Sequence, residues 1–250
     1  MKVLSIVLAI ALIATAQAAT CESKTSFKTI VHGSGSKAAK LEYAVDFFRD
    51  LLGGKDNGSD PGPKSKGQRS INWDAPIVPF TFPRKFFSDT VTRGLTVASD
   101  SNLFLVSDPT PSNGDKRFST VNKKASKNFK TFSPKRLFTP IKENVFQIRL
   151  TIPGKRAKAV TKGFGIVFVD VNYKNTTKMQ LYDIDDCLIA EEYVEPSAGG
   201  LSFLGFYFRD AIIARVIVTL GDRPINKSYK KSSDVVVCDD FIYGEPQKAF

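Results

Sequence analysis

The sequence predicts an all-β protein, a jelly-roll-like antiparallel β-sandwich with one N-terminal helix. Short apolar or alternating runs recur from Ile77 to Tyr243, with Gly, Pro, Asn and Asp between them. That spacing belongs to a sandwich or barrel. The run Lys162–Asn172, Lys-Gly-Phe-Gly-Ile-Val-Phe-Val-Asp-Val-Asn, is the strongest strand signal. Only Ser36–Leu52 carries a clear helical period.

The first residues read as an export signal. Lys2 precedes an apolar run from Val3 to Ala14, and small residues follow to Ala19. A basic start, a short apolar core and an Ala-x-Ala-type site make a secretory signal. The run is shorter than the roughly 18 residues of a membrane span. The expected division is therefore 1–19 signal peptide, 20–67 N-terminal helix and loop, and 68–250 β-sandwich. The mature protein is expected to be secreted and extracellular, with no transmembrane segment.

The helix Ser36–Leu52 begins at a capping Ser36. It places Leu41, Ala44, Val45, Phe48, Leu51 and Leu52 on one face, and Gly53-Gly54 ends it. Lys55–Gly67, rich in Gly, Pro, Asn and Ser, is a loop. Trp73, the only tryptophan, has two readings: a core anchor, or a platform for stacking a sugar ring. Strands are predicted at Ile77–Phe82, Val91–Ala98, Leu103–Ser107, Arg136–Thr139 and Val145–Ile152. In the last of these Phe146, Ile148, Leu150 and Ile152 alternate with polar residues, as in a strand with one wet face. Further strands follow at Ala159–Val171, Lys178–Ile184, Cys187–Val194, Leu201–Phe208, Ile212–Leu220 and Asp234–Tyr243, with a hairpin turn at Asp183–Asp186.

Charge is concentrated. The chain carries a formal +11, which for an exported protein implies polyanionic partners such as acidic glycans or cell-wall polymers, and disfavours nucleic acid. Between Lys116 and Arg136 the basic residues are Lys116, Arg117, Lys123, Lys124, Lys127, Lys130, Lys135 and Arg136, and no acidic residue intervenes. Phe118, Phe129 and Phe132 are interleaved. This is either a solvated edge or a polyanion- or membrane-facing surface.

The three cysteines are Cys21, Cys187 and Cys238. Export permits disulfides, and Cys187 with Cys238, both in predicted strands, is the expected pair. Cys21 is then the odd one. Sequons at Asn57, Asn175 and Asn226 mark glycosylation acceptors on surface loops.

Catalytic chemistry is scarce. His32, the only histidine, sits in a Gly/Ser stretch and reads as a loop residue. Carboxylates are the main resource. Asp170 with Asn172, Asp183, Asp185, Asp186, Asp239 and Asp240 fall near strand ends. A structural Ca²⁺ held by Asp170, Asn172, Asp239 and Asp240 is one expectation, since calcium takes several oxygen ligands. Asp239 and Asp240, adjacent in a strand, would point to opposite faces. The other expectation is ordinary ion pairing, with Arg209 or Arg215 as a partner.

Several motifs occur together: Phe48-Arg49-x-x-Leu52-Gly53-Gly54, Ile71-Asn72-Trp73-Asp74, Gly163-Phe-Gly-Ile-Val-Phe-Val-Asp170, Gly200-Leu-Ser-Phe-Leu-Gly205 and Asp239-Asp-Phe-Ile-Tyr-Gly-Glu-Pro246. Together they resemble a group of secreted, mainly bacterial proteins without a characterised function. The resemblance spans about Phe48 to Pro246 and implies a single secreted unit. The ending Val237–Tyr243 is also loosely similar to the last strand of lectin-like, carbohydrate-binding jelly rolls. That likeness is at the level of fold, and fold does not imply function.

Three functions are open at this stage. One is a non-enzymatic module binding glycans or other polyanions through Lys116, Arg117, Lys123, Lys124, Lys127, Lys130 and Trp73. Another is a structural or apolar-ligand-carrying protein. The third is a carboxylate-dependent glycoside hydrolase, with Glu191, Glu192 and Glu195 as candidates.

Overall fold

The computed structural model describes Cys21 and residues 28–108, 116–226, 228 and 232–249. The expected signal peptide, 1–19, lies outside them. In the first part of the chain the strands are β1 (Lys28–Gly35), β2 (Gln68–Ile71), β3 (Leu95–Ala98), β4 (Phe104–Val106), β5 (Phe138–Pro140), β6 (Val145–Leu150) and β7 (Ala159–Val160). The second part supplies β8 (Gly163–Val169), β9 (Lys178–Tyr182), β10 (Leu188–Tyr193), β11 (Leu201–Phe208), β12 (Arg215–Thr219), β13 (Val237–Gly244) and β14 (Gln247–Lys248). The helix α1 spans Glu42–Leu51.

These strands form an antiparallel sandwich. One sheet runs β1-β11-β8-β13-β5-β4, with β2 also paired to β13; the other runs β10-β9-β12-β6-β3. The chain crosses between sheets at β2 to β3, β3 to β4, β5 to β6, β8 to β9, β10 to β11, β11 to β12 and β12 to β13. β7 and β14 make a small separate pair.

Strand alternation divides β8 between two cores. Phe164, Ile166 and Phe168 point between the sheets, while Val167 and Val169 point outward. Burial on both faces is why this run reads as continuously apolar in sequence. Between the sheets the space is filled by aromatic contacts among Phe138, Phe146, Phe164 and Phe241. On the outer face lies a second core, roofed by α1 and by the basic segment. Phe48 of α1 rests on Gly165 and Gly205. A Cβ at Gly205 would stand 2.9 Å from the Phe48 ring, and one at Gly165 equally 2.9 Å. The helix lies this close because both strands lack side chains there.

Several expectations change. Lys28–Gly35 is an edge strand paired residue by residue with β11, so the sandwich does not begin at residue 68. His32 is an exposed residue of that strand, not of a loop. α1 starts at Glu42 after a short 3-10 turn at Ala38–Lys40, with Leu41 and not Ser36 at its N-cap. Ile77–Phe82 contributes only an isolated bridge, Thr81 to Leu105.

The disulfide is also different: Cys21 joins Cys187, and Cys238 is free and buried. Cys187 stands just before β10 of one sheet, while Cys238 lies within β13 of the other. Packed sheets lie about 10 Å apart, beyond the roughly 7 Å that a disulfide bridges. Cys21 and Cys187 have their Cα atoms 5.5 Å apart.

Candidate functional site

The basic segment forms a packed layer. It has two short 3-10 turns, Lys116–Phe118 and Ala125–Lys127. Phe118, Ala125, Phe129 and Leu137 are fully buried against Val167, Val169 and Val237 of the seven-stranded sheet. The interleaved phenylalanines are thus the base of the layer, and Phe132 also packs on that core. Asn122 tightens the turn by accepting from the backbone N–H groups of Lys124 and Ala125.

The base turns Lys116, Lys123, Lys124, Lys127, Lys130 and Lys135 outward, all exposed. Lys130 Nζ donates to Ser36 O at 2.8 Å, which brings the layer beside Lys37 and Lys40, also exposed. The two arginines are held differently. Arg117 donates to Phe129 O within the layer. Arg136 is buried and donates to Ser107 O and Val78 O; burial lowers its pKa. Of the residues expected to bind polyanions, the lysines are therefore presented to solvent, while Arg117 is largely structural.

Trp73 is not a stacking platform. It is 1 % exposed, stacked on Phe138 at 4.3 Å and edge-on to Phe82 and Phe241. Its Nε1–H donates to Asp239 O at 2.8 Å.

Asp239 and Asp240 share a side of the sheet, against the alternation expected of neighbours in a strand. The register of β13 on β8 shifts between Cys238 and Phe241. Two residues there oppose one, which makes a β-bulge. Asp239 accepts from Phe132 N at 2.6 Å and from Ser133 Oγ at 2.9 Å. Asp240 stands 3.6 Å from Arg49 of α1. The bulge thus fastens both parts of the outer roof to the sheet. Burial, and then the neighbouring Asp240, push the Asp239 carboxyl well up; burial also raises Asp240.

Asp170 and Asn172 belong to a different network. Asp170 accepts from Gly199 N at 2.7 Å, and burial raises its pKa. Asn172 donates to Asp234. Asp170 and Asn172 thus bond to Gly199 and Asp234, and Asp239 and Asp240 to the outer roof; among the described residues no group of three His, Cys, Asp or Glu is placed to hold a metal ion. Glu191 pairs with Lys178 on edge strand β10. Of the proposed arginine partners, Arg215 pairs with Asp186.

Of the sequons, Asn175 and Asn226 are exposed. Asn57 is not an open acceptor: it is 9 % exposed, and its Nδ2 donates to Lys66 O and Glu245 Oε2. Glu245 in turn holds Arg69 through two hydrogen bonds. This buried network, invisible in the sequence because its members lie far apart, pins the 53–67 loop to the end of β13.

Comparison with protein-family models, with curated proteins and with solved structures gave no match.

Proposed function

We propose that the protein is an extracellular, non-enzymatic binding module for acidic glycans or related polyanions, with the 116–136 layer as its contact surface. The observation that carries this reading is the lysine array seated on a packed aromatic base. A merely solvated loop needs no such base. Here buried Phe118 and Phe129 fix the backbone from which Lys116, Lys123, Lys124, Lys127 and Lys130 project. Fixed cations lose less freedom when a polymer binds, and their summed field steers it in. Secretion belongs to the same proposal; the Cys21–Cys187 disulfide is compatible with it.

The aromatic filling between the sheets supports a binder over a carrier of apolar ligands. Affinity for heparin and for polygalacturonate, measured by salt elution and titration, tests the reading. Neutralising Lys123, Lys124, Lys127 and Lys130 to alanine should weaken binding at least about tenfold and flatten its salt dependence. Unchanged elution of this variant would show that the layer is only a solvated edge.

A further inference from the structure

At the far end of α1 from the lysine layer lies a half-open cleft of about 240 Å³. Its walls include Leu51, Leu52 and Tyr207, its floor is Gly67 and Gly244, and Lys66 and Lys162 stand at its rim. Both lysines are exposed. The acidic wall residue, Glu245, is already bound by Arg69 at 2.8 Å, so the local balance is cationic.

We propose that this cleft is a subsite for one acidic sugar unit, a uronate or a sulfated pyranose, at the end of an oligosaccharide. The inference rests on the polyanion-binding reading and gives it a specific ligand class. Each wall supplies something such a unit needs. Lys66 and Lys162 offer charge-assisted hydrogen bonds to its acid group. The carbonyls of Phe48, Arg49 and Asp50 at the end of α1 already accept from the N–H groups of Leu52, Gly54 and Gly53, so the polar groups left in the lining to meet sugar hydroxyls are the side chains of Ser65 and Gln247. Tyr207 and the leucines give an apolar face for the ring C–H groups. A bare anion such as phosphate would gain only the lysines.

Leu51 of the cleft lining also belongs to a stripe along α1. Tyr43, Phe47 and Leu51 follow at four-residue spacing on one stripe of the helix. Tyr43 is 84 % and Phe47 43 % exposed. The spacing is about 6 Å along the axis, comparable with the repeat of a pyranose chain. Tyr43 and Phe47 thus form stacking positions for the units that follow the one in the cleft. Lys40, four residues before Ala44 on the same flank, extends this track toward Lys37 and Lys130.

The test is calorimetric titration of the mature chain with trigalacturonate, with maltotriose as the neutral control and polygalacturonate as the long polymer. The trimer should bind, and maltotriose should bind at least about tenfold more weakly, for want of the charged hydrogen bonds. Lys66→Ala with Lys162→Ala should reduce trimer affinity about tenfold or more, and Phe47→Ala should reduce it severalfold. The Lys123/Lys124/Lys127/Lys130 alanine variant should keep trimer affinity within about twofold while losing polymer affinity. Trimer binding indifferent to Lys66 and Lys162, or equal binding of maltotriose, would overturn the subsite. Polymer binding without trimer binding would overturn it while leaving the lysine layer standing. Failure of both ligands would overturn both proposals.

Discussion

Asp239 shows how much one residue can hold together. Its carbonyl receives Trp73 and its carboxyl receives Phe132 and Ser133. Burial raises its pKa above the ordinary 3.8, so folding takes up a proton there. The associated stability is complete below the ordinary carboxylate range and is lost as pH rises through the raised value. Asp239→Asn keeps an acceptor for the Phe132 N–H without the charge. Chemical denaturation across pH should show the variant with a flatter profile, and more stable than the parent at alkaline pH by about 1–2 kcal/mol. A parallel profile would mean that the proton resides elsewhere. At Trp73 the expectation is plainer: Trp73→Ala should cost about 3–5 kcal/mol, and Trp73→Phe less, without touching the proposed polyanion surface because the ring is buried.

At the scale of elements, α1 depends on two strands that give way to it. Gly205→Ala would bring a Cβ to 2.9 Å from the Phe48 ring and should destabilise by about 1–3 kcal/mol through overpacking. Phe48→Leu in the same chain should recover part of that loss, and a double-mutant cycle in urea measures the coupling. Additive effects would show that α1 does not rest on β11 in the way described. The elements also show what the sequence could and could not say. β11 was legible to the residue and β6 nearly so, because burial on one or both faces leaves a period of two or an apolar run. β1, Lys-Thr-Ile-Val-His-Gly-Ser-Gly, carries little such signal; its strand state comes from pairing with β11. The bulge was illegible for a similar reason. Alternation is a local rule, and only the partners on the 129–136 layer and α1 explain its breach. The lysine run was plain in sequence, but its interleaved phenylalanines gave no sign of which side they would take.

For the molecule as a whole, the cysteines give a simple check. In the native protein no thiol should react, because Cys238 is buried and burial holds its thiol pKa well up. Unfolding without reductant should expose one thiol, and reduction should add the Cys21–Cys187 pair. Replacing that pair by serines should cost about 2–5 kcal/mol, since it closes a long loop in the unfolded chain. A single reactive thiol at Cys21, with Cys187 and Cys238 joined, would contradict the pairing. The cleft, by contrast with the lysine run, could not be read from the chain. Leu51, Lys66, Lys162, Tyr207 and Glu245 meet only when β8, β11 and β13 come together under the end of α1.

The seating of the lysine layer on the sheet has one more consequence. The aromatic base fixes the backbone positions from which the lysines project, so each ammonium group ranges only over the reach of its own stem, and the surface sets a coarse spacing as well as a charge. A polymer whose acid groups recur at commensurate intervals meets many cations in one register. A polymer of equal charge density but incommensurate repeat meets them only by bending. Selectivity among acidic polymers would then follow the geometry of their repeat, and melting the aromatic base would abolish the discrimination before it abolished the attraction.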